Sequence, residues 1–240
     1  MDIEYQDAFE QITGDAASPF VLTCEHASER LPEPWCWPAA DRWLVGTHWA
    51  YDIGASELTR DVCQSLAAPA VLARFSRLLV DPNRALESDT LFREVAEGRP
   101  VELNVALPPA QRVERIARLY EPFHQAVARC VEQSAAAVVL AMHTFTPLYE
   151  GQTRALEVGV LFDEDEALAR RVQSLLRAEG LRTELNEPYS GKAGLMYVAD
   201  RHARRFGRQA LELEVRQDLA VQADVRRRIV SVLEHLAREL

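Results

Sequence analysis

Two histidines, His26 and His143, each stand at the end of an apolar run, and the residues around them could bind a metal. Val21-Leu22-Thr23-Cys24-Glu25 leads into His26, and Ala137-Val138-Val139-Leu140-Ala141-Met142 leads into His143. Runs of this kind read as buried strands, so both imidazoles fall at carboxyl ends. In an open α/β sheet that edge is where ligands bind. His26 and Glu29 form an H-x-x-E, which can bring an imidazole and a carboxylate to one cation; His143 would complete three zinc ligands with one position left open. The plain alternative is a hydrogen-bonded histidine at a strand end beside a solvated Glu29.

Glu214 is the next candidate. Glu212 and Glu214 are two apart in Ala210-Leu211-Glu212-Leu213-Glu214-Val215, so on a strand they share a face. A carboxylate there can serve as general base for a metal-activated water, or the face can simply be solvated. Arg77 and Arg84 flank the short apolar stretch Leu78-Leu79-Val80. Such a pair can hold a carboxylate bidentately or polarise a carbonyl, unless it is spent on a surface ion pair with Asp81.

The elements that must position these groups alternate in type. Strands are expected at Val21–Cys24, Ala70–Ala73, Ser76–Val80, Val138–Met142, Leu156–Phe162, Thr183–Asn186 and Ala210–Val215. Helices are expected at Ala55–Leu66, Glu164–Ala178 and Ala223–Leu240, with Gly180 closing the second. A longer helix runs from Pro109 to Ala135, with Val113, Ile116, Leu119, Phe123, Val127 and Val131 inward and a kink at Pro122. Glu29–Trp43 and Glu87–Pro109 read as loops, the second a flap over one edge. The pattern predicts an α/β fold: a single three-layer domain over residues 1–240, with a mixed, mostly parallel sheet covered by helices on both faces.

Composition narrows the function classes. The 240 residues carry a net charge of −10, which argues against nucleic acid as a partner. No run approaches the roughly 20 apolar residues of a membrane span, and Met1-Asp2-Ile3-Glu4-Tyr5 is unlike a signal peptide, so a cytoplasmic location is expected. Cys24, Cys36, Cys63 and Cys130 form no C-x-x-C pair and are expected to be mostly buried thiols. Oligomeric state is not encoded in any of this.

The ordered set of segments resembles the N-formylglutamate amidohydrolase family. Its pieces are Cys24-Glu25-His26-Ala27-Ser28, Tyr51-Asp52-Ile53-Gly54-Ala55, Ser76 through Asp81-Pro82-Asn83-Arg84, and Tyr120-Glu121-Pro122-Phe123-His124. His143-Thr144-Phe145-Thr146-Pro147, Asn186 through Tyr189-Ser190-Gly191, and Glu214-Val215-Arg216 complete it. The family in turn is similar to zinc carboxypeptidases and aspartoacylases, which implies a carboxypeptidase-like fold. The resemblance implies one zinc per chain on His26, Glu29 and His143, with Asp52 as the substitute if family members do not use the position of Glu29. It further implies Glu214 as base, Arg77 on the developing oxyanion, Asn83 and Arg84 on the substrate carboxylate, and Tyr189 and Ser190 in a loop over the pocket. His124 and His202 are expected to be packing or surface residues, His202 within a solvated basic run, and His48 structural. The implied reaction is hydrolysis of a small N-formyl or N-acyl amino acid, N-formyl-L-glutamate first. A short peptide or another N-acyl substrate, or a metal-free binding domain, are the alternatives. A second arginine for a side-chain carboxylate would come from Arg74, Arg154 or Arg201.

Overall fold

The computed structural model describes residues 3–149 and 151–240. Its strands are β1 (Ile3–Tyr5), β2 (Phe9–Ile12), β3 (Phe20–Cys24), β4 (Ala70–Ala73), β5 (Val95–Ala96), β6 (Arg99–Pro100), β7 (Val138–Phe145), β8 (Leu148–Tyr149), β9 (Gln152–Thr153), β10 (Val158–Leu161), β11 (Thr183–Leu185) and β12 (Gln209–Arg216). The helices are α1 (Ala55–Leu66), α2 (Pro109–Arg115), α3 (Glu121–Glu132), α4 (Glu166–Ala178), α5 (Tyr197–Phe206), α6 (Gln217–Ala220) and α7 (Ala223–Ala237). One eight-stranded sheet runs in the order β1-β2-β4-β3-β7-β12-β10-β11, and β5–β6 and β8–β9 are separate small hairpins.

The four central strands, β4, β3, β7 and β12, are parallel, while β2 and β10 join them antiparallel. Their alternation explains both cores. Leu22, Cys24, Leu140, Met142, Leu211, Leu213 and Val215 pack toward α1, α4 and α7. Val21, Val139, Ala141 and Ala210 pack toward α3 and α5. Continuing the period of two, Glu25, His143, Glu212 and Glu214 leave the sheet on that second side.

Three expectations fail here. Ser76–Val80 is a turn rather than a strand, because the Ser76 hydroxyl donates to the Ala50 carbonyl and the Leu79 N–H bonds back to Ser76. The long helix is not continuous: between α2 and α3 the chain makes a π-turn at Ile116–Tyr120, and the Glu121 N–H reaches back to Ile116. Pro122 has no N–H to give to an α-helical acceptor, so the irregularity lies just before it. The extra residue rotates α2 relative to α3. Val113 is therefore 66% exposed, while Leu119, Phe123, Val127 and Val131 keep the inner face. The third failure is Asp200–Arg205, expected as a solvated run. As a face of α5 it does expose Arg201, Arg204 and Arg205, and the departure is His202, which is only 2% exposed.

The flap at 87–108 has little regular structure, and buried polar contacts fix it instead. Arg115 donates to the carbonyls of Leu79 and Leu103 and to Asn104 Oδ1, and the Asn104 amide donates to the carbonyls of Leu78 and Arg93. Asp41 accepts from the N–H groups of Glu102 and Leu103. Cys24, Cys63 and Cys130 are buried and Cys36 is exposed, all four as free thiols. No helix among the described residues is long and apolar enough to cross a membrane.

Candidate active site

The sequence brings Asp52 to the two histidines through its backbone. The Asp52 N–H donates to the His26 carbonyl, and Gly54, with φ of +87°, turns the chain into α1 directly afterwards. A Cβ on Gly54 would lie 2.9 Å from the Ala220 Cβ, so this corner needs both its dihedral and its lack of side chain. The His26 and His143 rings stand edge to face with centroids 4.7 Å apart.

The two imidazoles are oriented the same way. His26 Nε2 is 2.8 Å from Asp81 Oδ1, and His143 Nε2 is 2.7 Å from Glu25 Oε2. Both Nδ1 atoms face one carboxylate: Asp52 Oδ2 is 2.8 Å from His143 Nδ1 and 3.5 Å from His26 Nδ1. His26 Nδ1 is buried without a hydrogen-bond partner. A histidine whose far nitrogen is held by a carboxylate presents its near lone pair in a fixed direction, as metal-ligating histidines do. His26, Asp52 and His143 offer donor atoms within 4.8 Å of one another. His143, Glu212 and Glu214 do so as well, and there His143 Nε2, 3.7 Å from Glu212 Oε2, is the nitrogen that Glu25 already holds at 2.7 Å.

Charge supports the same assignment. Glu25, Asp52, Asp81, Glu212 and Glu214 are all buried around the cluster, and the nearest guanidinium, Arg77, bridges Asp81 Oδ2 at 2.9 Å and Asp52 Oδ1 at 3.5 Å. Five buried carboxylates with one arginine ion-paired to them call for further positive charge. Burial pushes Glu212 up to about 7, and pushes Glu214 well above the usual carboxylate range with His143 opposing it. Burial alone would depress His143, but Glu212, Asp52 and Glu25 hold it well above the ordinary imidazole value. The chain alone thus draws protons into the cluster, where a divalent cation would release them. The donor set fits such a cation.

A cavity of about 200 Å³ opens over the cluster, lined by Asp52, Arg77, Arg84, Arg93, Tyr189 and Glu214 among others. Glu214 is paired in register with His143 on β7 and with Gly159 on β10, and its Oε2 is buried without a partner. On β10, a Cβ on Gly159 would meet the Glu187 carbonyl at 2.0 Å; its absence lets the loop carrying Tyr189 lie against the strand. Arg84 donates to the Asn83 carbonyl and to Thr90 Oγ1.

Other expected residues are placed differently. The Glu29 carboxylate accepts from the Gly46 N–H and is not among the lining residues; Asp52 occupies the place expected of it. Asn83 lines the cavity, but its amide donates to the Leu195 carbonyl and toward Glu212 and accepts from the Val198 N–H, so it ties the Asp81–Arg84 turn to α5. The Ser190 carbonyl accepts from Ala193 and Leu195, and the residue does not line the cavity. Arg74, half-buried, donates to the Gln6 carbonyl, and the exposed Arg201 donates to the Tyr197 hydroxyl. Arg154 lies against the rings of Phe145, Tyr149 and Tyr189. Sequence reasoning missed Glu25, Asp81 and Arg93. Strand alternation puts Glu25 on the same face of the sheet as His143, a signal that was readable.

Fold and cavity together have the build of an amidohydrolase. The chain belongs to the N-formylglutamate amidohydrolase family, whose model matches residues 18–221. Among solved structures it is similar to the gene product Atu2144 from Agrobacterium tumefaciens, with 29% identity and a TM-score of 0.89 over 98% of this chain and 94% of that one. It shares its fold with N-formylglutamate amidohydrolase from Ralstonia eutropha JMP134, at 19% identity and a TM-score of 0.70 over 98% of each chain. A bacteriophage poly-gamma-glutamate hydrolase, at 10% identity and a TM-score of 0.51, covers 98% of this chain and 91% of its own. No curated protein sequence matches the chain.

Proposed function

We propose that the protein is a metal-dependent amidohydrolase that cleaves the amide of an N-formyl or N-acyl amino acid, N-formyl-L-glutamate first, to give formate and the free amino acid. The observation that carries this reading is the convergence of two oriented Nδ1 atoms on Asp52 beside an unpartnered Glu214 carboxylate oxygen. His26, His143 and Asp52 would hold the ion, one per chain. Zinc in such a site supplies Lewis-acid polarisation and acidifies water near neutral pH.

The remaining chemistry belongs to the side chains. Glu214 takes a proton from the attacking water as its oxygen bonds to the acyl carbon, then returns that proton to the amine nitrogen as the C–N bond breaks. Arg77 faces the charge that develops on the acyl oxygen, and such a donor contributes about 3 kcal/mol. Arg84 holds the amino-acid carboxylate and fixes the amide within reach of Glu214. Tyr189, pushed up in pKa by burial and the nearby Glu214 carboxylate, stays protonated and can donate a hydrogen bond to substrate.

The test joins elemental mass spectrometry to hydrolysis of N-formyl-L-glutamate with and without chelator. About one zinc per chain and chelator-sensitive formate release are expected. His143→Ala should lose the metal, whereas Glu214→Gln should keep it and lose roughly 10²- to 10⁴-fold in kcat. Full metal and turnover in His143→Ala would refute the site, and wild-type turnover in Glu214→Gln would refute the base.

A further inference from the structure

The arginines lining the cavity differ in what balances their charge. Arg77 sits between Asp52 and Asp81, and Arg84 rests on the Asn83 carbonyl and Thr90. The Arg93 guanidinium lies over the Trp49 ring, 5.6 Å from its centroid, and makes no hydrogen bond or ion pair with the described residues. It is partly buried, and that burial, together with the positive charge of Arg77, lowers its pKa. A cation so placed is stabilised by any anion that enters the cavity.

Its position is also built. The Arg93 carbonyl accepts at 2.8 Å from the Asn104 amide, whose Oδ1 accepts at 2.7 Å from Arg115. Asn104 is 0% and Arg115 2% exposed. Burying an arginine is costly, and here every acceptor it uses belongs to the Leu103–Asn104 segment that follows Arg93 or to the Leu79 carbonyl. Irregular chain is thereby held rigidly where Arg93 meets the cavity. Arg154, the other arginine beside the mouth, is enclosed by three aromatic rings and does not line the cavity.

We propose that Arg93 is a specificity-determining residue that binds a second carboxylate, on the substrate's side chain, while Arg84 binds the carboxylate next to the amide nitrogen. This rests on the amidohydrolase reading above and deepens it. Acidic N-acyl amino acids are then selected over their neutral amide isosteres by one unpaired guanidinium.

The experiment compares the zinc-loaded full chain with Arg93→Met, Arg93→Lys and Arg154→Met. Two readouts are used: kcat/KM for N-formyl-L-glutamate against N-formyl-L-glutamine, and calorimetric binding of L-glutamate against L-glutamine. Arg93→Met should lower kcat/KM for the acidic substrate roughly 10- to 100-fold, mainly through KM, and leave the neutral one little changed. Arg93→Lys should restore part of the preference. Equal losses on both substrates, an intact preference in Arg93→Met, or its disappearance in Arg154→Met would overturn the proposal. If the wild type hydrolyses neither formyl amide, the amidohydrolase reading fails by itself. Calorimetry still decides for Arg93: a glutamate preference lost in Arg93→Met supports it, and no preference in the wild type refutes it.

Discussion

Asp52 and Glu29 pose the sharpest question at the scale of single residues. Both are carboxylates in sequence reach of His26, but only Asp52 points between the two rings, whereas Glu29 caps the Gly46 N–H. Asp52→Ala should therefore abolish stoichiometric zinc, and Glu29→Gln should retain it; elemental analysis of the two purified variants separates them. The opposite pattern would return the H-x-x-E to the site. Sequence spacing alone placed His26, His143 and Glu214 correctly on one sheet edge, because period two and two apolar runs determine which side chains emerge there. It did not distinguish Asp52 from Glu29, since a residue reached through a loop has no periodicity to read. Arg93 was hidden for the same reason, lying in a flap whose shape is set by long-range contacts with Asn104 and Arg115.

At the scale of elements, β10 and the loop after β11 depend on one missing side chain. Gly159→Ala would drive a methyl into the Glu187 carbonyl beside Glu214. The variant should be destabilised by about 1–3 kcal/mol in chemical denaturation, with a raised KM as the Tyr189 loop moves away. Unchanged stability and KM would mean the loop shifts freely. The elements legible in sequence were α1, α4 and α7, by apolar periodicity, and β3, β4, β7, β10, β11 and β12, by short apolar or alternating runs. The antiparallel pair β1–β2 went unseen, as short edge strands carry little pattern, and Ser76–Val80 was misread because its apolar residues fill a turn.

On the scale of the whole molecule, a buried polar layer joins α3 and α5 to the rear of the site. His124 Nε2 meets the Pro82 carbonyl at 3.1 Å and its Nδ1 meets His202 Nε2 at 3.0 Å. Burial lowers His124 to about 3 and His202 to about 4, with Arg201 adding to both and Glu25 opposing at His202. Both histidines are therefore neutral in the fold and take up protons more readily when unfolded, near an ordinary value of about 6.5. Stability should fall as pH drops below about 6.5, by about 2 kcal/mol for one histidine near pH 5. Denaturation curves at the two pH values should show a flatter dependence in His124→Gln/His202→Gln, and an equal slope would assign the loss to other groups. The π-turn at Ile116–Tyr120 bears on the same layer in terms of helical register. Closing the turn into a regular α-helix with no residue removed would turn α2 by about 100° against α3. Arg115 would swing out of its seat beneath the flap, and Asn104 would lose the contact through which it holds Arg93. A sequence in which that turn closes as ordinary α-helix can keep every residue of the cavity and still lose its shape.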